Sequence, residues 1–147
     1  MINHKLANIH PNAKIGKNVI IEPFATIYED VVIGDNCWIA SNAVVMSGAR
    51  IGNNCKIFPG AIISAESQDL KYNGEYAITE IGDNTTIREY VTIHKGTLDK
   101  KITKVGSNCL LMSYVHVAHD CTVGDNVVIA NLVQLAGHVI AGDWVII

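Results

Sequence analysis

Every sixth residue of this chain is aliphatic over long stretches, and few folds can use that period. Ile9, Ile15, Ile21, Ile27, Ile33, Ile39, Val45, Ile51, Ile57 and Ile63 are ten consecutive sixth positions. The count resumes at Ile81, Ile87 and Ile93, and again from Val105 through Leu111, Val117, Val123, Ile129, Leu135 and Ala141 to Ile147. Of these twenty-one positions only Ala141 is not Ile, Val or Leu. An amphipathic helix repeats near 3.6 residues, so this pattern excludes one.

Two residues before each aliphatic lies a second, mostly smaller series: Ala7, Ala13, Val19, Ala25, Val31, Cys37, Ala43, Ala49, Cys55 and Ala61. A two-residue offset keeps both series on one face of a short strand. Turn formers follow the aliphatics, as in Gly16-Lys17-Asn18, Gly34-Asp35-Asn36, Gly52-Asn53-Asn54 and Gly124-Asp125-Asn126. Gly and Asn tolerate positive φ and suit a sharp corner. Strand plus corner every six residues closes a triangle in eighteen. Stacked triangles make an all-β parallel β-helix. Twenty-one hexads give about seven coils, a prism ~33 Å tall at the inter-strand spacing. The period does not give the hand.

Residues 64–80 and 94–104 lack the pattern. Each sits between intact runs, so each is expected to be a loop pushed out from a corner. Loops on a rigid scaffold commonly carry function.

Composition narrows the rest. The 147 residues suit one domain, with a net charge of −3 and no basic block, so nucleic acid is not expected as a partner. No apolar run is long enough for a membrane span. The start, Met1-Ile2-Asn3-His4-Lys5, has no signal-peptide core, which points to the cytoplasm. Cys37, Cys55, Cys109 and Cys121 all fall in the small inward series and read as core residues. Cys37 and Cys55 are stacked closely enough to bridge, but a reducing compartment would keep them free. The chain stops at Ile147 in mid-pattern, which reads as a fragment of a longer protein.

Histidines gather late: His94, His116, His119 and His138. Val117 holds the aliphatic position, so His119 and Asp120 are expected at the next corner, pointing outward. Adding eighteen puts Gly137 over His119 and His138 over Asp120. A histidine beside a carboxylate can serve as a general base near neutral pH. A glycine over it can offer a backbone N–H to an oxyanion. Two other readings stay open: corner histidines facing solvent, and zinc held by His116 and His119 across a trimer interface.

Three segments carry a more specific resemblance. They are Gln68-Asp69-Leu70-Lys71-Tyr72-Asn73-Gly74-Glu75, Ile87-Arg88-Glu89-Tyr90-Val91-Thr92-Ile93-His94-Lys95-Gly96-Thr97, and His116-Val117-Ala118-His119-Asp120-Cys121-Thr122-Val123-Gly124 with Leu135-Ala136-Gly137-His138-Val139 after it. Through them the chain resembles the UDP-N-acetylglucosamine O-acyltransferases that open lipid A synthesis in Gram-negative bacteria. The resemblance implies a left-handed coil and a homotrimer with clefts between subunits. It implies that an (R)-3-hydroxyacyl group passes from acyl carrier protein to the sugar 3-hydroxyl, with no cofactor and no metal. His119 would be the base, Asp120 its orienter and Gly137 the oxyanion donor. Gln68, Asp69, Lys71, His94, His116 and His138 would contact the nucleotide sugar. The family continues into further coils and a C-terminal helical domain that this chain lacks, so residues 1–147 alone are expected to turn over little.

Three rivals are weighed against this. A related N-acyltransferase of the same pathway carries an extra N-terminal domain, for which hexads beginning by Ile9 leave no room. A γ-class carbonic anhydrase would bind stoichiometric zinc. An inert truncated β-helical scaffold would show no turnover. Lys95, Lys100, Lys101 and Lys104 crowd the second loop as solvated charges or as a docking patch for an acidic carrier protein. Thr97-Leu98-Asp99-Lys100-Lys101-Ile102-Thr103 is basic where relatives often carry glycines, which bears on the shape of the loop.

Overall fold

Residues 2, 3 and 5–147 are described by a computed structural model; Met1 and His4 lie outside it. The described residues form twenty-one short strands and no helix. Three parallel sheets of seven strands each make the faces of a triangular prism, and successive strands of one sheet are three strands apart in the chain. The fold is a left-handed parallel β-helix. No helix among the described residues is long and apolar enough to cross a membrane.

Register follows the eighteen-residue count wherever the chain is uninterrupted. Ile21 pairs with Ile39, and Val117 with Leu135. The loops break the count. Ile57 pairs with Ile87, and Ile87 with Leu111. The first loop therefore adds twelve residues to its coil and the second adds six. Both loops are narrower than the lost pattern suggests. Strands Ile62–Ala65, Ile78–Ile81, Thr92–His94 and Ile102–Val105 run into the expected loop ranges. Ala65 pairs with His94, and Ile78 with Ile102. Backbone pairing continues where the apolar code has stopped, because the neighbouring coil still offers donors and acceptors.

The two inward series fill the prism. Ile21, Ile27, Ile33, Ile39, Ile57 and Ile63 are buried, as are Val19, Ala25, Cys37, Ala43 and Cys55 of the small series. All four cysteines are free and buried. Large and small side chains alternate across each coil and pack in columns up the axis.

The corner residues divide their work in a way the sequence reading did not separate. Asn18, Asn36, Asn54, Asn84, Asn108 and Asn126 take the positive φ, between 54° and 58°. The glycines of the same turns do not. A Cβ on Gly34 would lie 2.7 Å from the backbone of Gly52, so glycine is required by the close approach of coils. A second corner turns through Phe24, Asn42, Gly60, Tyr90, Tyr114 and Leu132, all at positive φ. The third corner turns through Gly48, Asp120 and His138, and both loops leave the prism there.

Candidate active site

The third corner collects the histidines because parallel pairing stacks their strands. Thr92 pairs with His116, and His116 with Gln134. The Thr92 hydroxyl lies 2.8 Å from His116 Nδ1. His94 is buried, and its Nδ1–H donates to the Glu66 carbonyl where the first loop leaves its strand. The His94 and His116 rings meet edge to face at 5.0 Å. Burial pushes both imidazoles below the ordinary histidine range; for His94 the Glu66 carbonyl opposes this, and for His116 the neighbouring His94 adds to it.

His119 follows on the same corner, its side chain 14% exposed. Its Nδ1 is 2.9 Å from Asp120 Oδ2. The ring meets His138 edge to face at 5.1 Å. One coil on, the His138 N–H donates to the His119 carbonyl at 3.1 Å. Gly137 stands directly against the ring: a Cβ there would lie 2.6 Å from Cε1 and Nε2. The Gly137 N–H donates to no backbone carbonyl among the described residues. The counted stacking of His119 with Gly137 is present.

Asp120 departs from the expectation of an outward corner residue. It is 0% exposed. The second loop folds over it and supplies donors. The Thr97 N–H reaches Oδ1 at 2.9 Å and the Thr97 hydroxyl reaches Oδ2 at 2.6 Å. The Lys100 N–H lies 3.3 Å from Oδ1, and Lys100 Nζ donates to the Asp120 carbonyl. The Asp120 N–H donates to the Thr103 hydroxyl at 2.8 Å. Burial raises the pKa of this carboxyl. The Thr97 hydroxyl and N–H, then His119 and the Lys100 N–H, outweigh burial and hold it below the usual range.

The first loop brings Asp69 to the same place. Asp69 Oδ2 is 3.9 Å from His119 Nε2, across fifty residues of sequence. The Lys71 N–H donates to Asp69 Oδ1 at 2.9 Å, which fixes a tight turn. Asp69, Lys71, Glu75, Thr97, Leu98, Asp99 and His138 line a cleft of about 410 Å³. Gln68 is exposed and does not line it. Glu75 ties the loops together by accepting from the N–H groups of Asn73 and Leu98.

The lysines of the second loop divide. Lys95 is half-buried and donates to the Ser47 carbonyl, and Lys100 is bound to Asp120. Lys101 and Lys104 are exposed. Four free cations on one patch are therefore reduced to two.

Sequence reasoning missed Thr97, Thr103, Glu75 and Asp99. Thr103 was within reach of it, since Thr103 stacks eighteen residues before Cys121, in the small inward series. Thr97 was not, because no stacking count crosses the second loop.

His119, Asp120 and His138 hold ligand atoms within 4.8 Å of one another. His116 is not one of that group; its Nδ1 lies beside the Thr92 hydroxyl. Asp120 Oδ2 already accepts the Thr97 hydroxyl and faces His119 Nδ1. A cation would have to displace both donors, so this donor set suits hydrogen bonding better than metal ligation.

A coil of hexads with a histidine–carboxylate pair at one corner belongs to the hexapeptide-repeat class. The family described as bacterial transferase hexapeptide (six repeats) matches residues 102–137, and that described as the GMPPB C-terminal domain matches residues 3–98. The chain belongs to the hexapeptide-repeat domains that these two matches describe. It is 62% identical over 151 residues to the acyl-[acyl-carrier-protein]–UDP-N-acetylglucosamine O-acyltransferase of Aliivibrio fischeri, covering 98% of this chain and 58% of that protein. The crystal structure of LpxA, a UDP-N-acetylglucosamine acyltransferase from Bacteroides fragilis, superimposes with a TM-score of 0.92 at 54% identity, over 95% of this chain and 55% of that one. LpxA from Acinetobacter baumannii gives a TM-score of 0.97 at 46% identity, over 99% of this chain and 57% of that one. Within its class the chain is similar to the UDP-N-acetylglucosamine O-acyltransferases. It spans little more than half the length of these relatives.

Proposed function

We propose that the protein transfers an (R)-3-hydroxyacyl group from acyl carrier protein to the 3-hydroxyl of UDP-N-acetylglucosamine, the first step of lipid A synthesis. The observation that carries this reading is the His119–Asp120 pair lodged against Gly137. Asp120 Oδ2 faces Nδ1 and favours the proton there, which leaves Nε2 with its lone pair free. Nε2 takes the proton of the sugar hydroxyl, and the oxygen attacks the thioester carbonyl. The carbonyl oxygen becomes an oxyanion that accepts the Gly137 N–H. When the intermediate collapses, the C–S bond breaks and the His119 imidazolium returns its proton to the carrier thiolate. No acyl-enzyme forms, and the buried cysteines take no part.

The same reading assigns the nucleotide sugar to the cleft beside His119. Asp69 accepts hydrogen bonds from sugar hydroxyls, and Lys71 offsets phosphate charge. Gln68, His94, His116 and His138 complete the contacts with the nucleotide sugar, His138 from the wall of the cleft. We assign the enzyme to the cytoplasm as a homotrimer whose clefts lie between subunits. Further coils and a helical domain, which the family resemblance implies, would supply acyl-length selection and most carrier contacts.

The test is an acyl-transfer assay on the full-length protein with UDP-N-acetylglucosamine and a panel of 3-hydroxyacyl carrier proteins, read by release of carrier thiol. H119A is expected to lose about 10²–10⁴-fold in rate, the usual worth of a positioned base, with the oligomer unchanged by light scattering. Retention of more than about a tenth of the activity would remove His119 from the role.

A further inference from the structure

The second loop does more than cover the site. Its neck is set by Gly96, where an added Cβ would lie 2.3 Å from the Ile102 backbone nitrogen, so the two ends of the loop are in backbone contact. The Thr97 carbonyl accepts the Lys101 N–H at 2.7 Å, which closes the loop on itself. The Leu98 N–H is held by Glu75 of the first loop. Thr97 is thereby delivered to one place, 8% exposed, over the Asp120 carboxylate.

We infer that Thr97 is the positioning residue of this site: its hydroxyl and N–H together fix the Asp120 carboxylate so that Oδ2 faces His119 Nδ1. The inference rests on the reading of His119 as the base. Both carboxylate oxygens are engaged from one residue, Oδ1 by the N–H and Oδ2 by the hydroxyl. Two grips at different oxygens define the plane of the carboxylate, which one grip would not. The hydroxyl proton has one acceptor to choose. Thr97 Oγ1 itself accepts from the Asp99 N–H at 3.4 Å, and the carboxylate can only accept. The oxygen that Thr97 grips is the same one that faces His119, so any rotation of the carboxylate is felt at Nδ1. With the hydroxyl removed, a fully buried oxygen keeps the His119 N–H as its one close donor. It must then rotate toward His138, whose Nε2 stands 3.8 Å away. Either the imidazole turns with it or the proton moves to Nε2, and the base loses its lone pair.

A residue that merely packed over the site would affect stability and substrate binding together. A positioning residue affects kcat and the histidine tautomer. The experiment uses the full-length protein in three forms, wild type, T97V and T97S, with selectively ¹⁵N-labelled histidine. T97V keeps the shape and the N–H; T97S keeps the hydroxyl. T97V is expected to lower kcat about tenfold or more, the scale of one charge-assisted hydrogen bond, with KM for the nucleotide sugar within about twofold. T97S is expected to stay within about threefold of wild type, because the same donor remains. The His119 nitrogen shifts are expected to report Nδ1–H in wild type and T97S, and a rising share of Nε2–H in T97V. Wild-type kcat and an unchanged His119 spectrum in T97V would overturn the inference, as would equal losses in T97V and T97S that track melting temperature. Should wild-type protein transfer no acyl group, the proposed function fails, and the tautomer comparison still decides what Thr97 does.

Discussion

Gly137 and His119 occupy the same corner of successive coils, with so little space between them that a single methyl on Gly137 would fall 2.6 Å from the imidazole Nε2. The ring cannot simply step aside, because its other nitrogen is held by a buried carboxylate. The glycine is therefore required by close approach to the ring, and its φ is not in the left-handed region.

G137A is expected to retain the fold and lose most activity. The methyl forces the His119 ring to rotate and breaks its bond to Asp120. The stability cost is about 1–3 kcal/mol, the usual range for overpacking. The rate is expected to fall about 100-fold or more, since one oxyanion donor is displaced along with the base. Thermal denaturation measures the first and the acyl-transfer assay the second. A G137A enzyme with normal kcat would show that this corner is not where chemistry occurs.

The Gly–Asn turns allow a paired comparison on one corner. G34A places a methyl 2.7 Å from backbone atoms of Gly52, which cannot rotate away. Its cost is expected to be about 2–3 kcal/mol, near the upper end for overpacking. N36A puts alanine at a φ of 58° and is expected to cost about 1 kcal/mol. N36G is expected to be near neutral, because glycine adopts that φ freely. Chemical denaturation of the three variants ranks them. The reverse order would mean that coil spacing is not set by the glycines.

Stability is expected to fall in two stages on acidification. His94 and His116 have folded-state pKa values lowered by burial, so the unfolded chain takes protons first. They contribute stability above an unfolded value of about 6.5, which is lost as pH falls below it. Four carboxyls act at lower pH, Glu75 among them through the Asn73 and Leu98 N–H groups. The Trp38 indole N–H and Ser41 hold Glu22 down against the opposing effect of burial, the Arg88 guanidinium holds Glu89 down to about 2, and Thr97 heads the donors that overcome burial at Asp120. Their contribution is present above about pH 4 and is lost as pH falls through the folded values. Urea midpoints at pH 7.5, 5.5 and 3.5 are expected to decrease at each step, and H116Q to flatten the first. A midpoint that rises between pH 7.5 and 5.5 would contradict the burial of these histidines.

The cysteines are expected to be inert while the protein is folded. Each thiol donates to a carbonyl of the coil beyond: Cys37 to Gly52, Cys55 to Gly82, Cys109 to Gly124 and Cys121 to Ala136. Burial pushes the Cys109 and Cys121 thiols up, and Cys55 is pushed up first by the Cys37 thiol beside it and then by burial. Cys37 is instead lowered, chiefly by the Cys55 thiol, and is kept from reagent by its burial in the prism. Thiolate is the reactive form, so a chromogenic disulfide reagent is expected to find none of them in native protein and all 4 in denaturant. Fast reaction of one thiol in native buffer would place it outside the core.

Much of the fold was legible because stacking in a β-helix is a local rule repeated. Once a hexad closes one side of a triangle, the neighbour of any residue lies eighteen positions away, and Ile21 must meet Ile39. His119 and Gly137 obey that rule, so their contact was countable before any coordinates. What the tertiary structure decided lies in and under the loops. Thr97 reaches Asp120 across twenty-three residues, and Asp69 reaches His119 across fifty, through segments that carry no period. An outward corner position is solvated on an uninterrupted coil. Here a seven-residue excursion lies on top of it, and Asp120 becomes a buried, fully gripped carboxylate. Periodicity specifies which side chains share a column. Which of those columns a loop folds back to cover depends on hydrogen bonds between distant residues, and these form only once the prism stands.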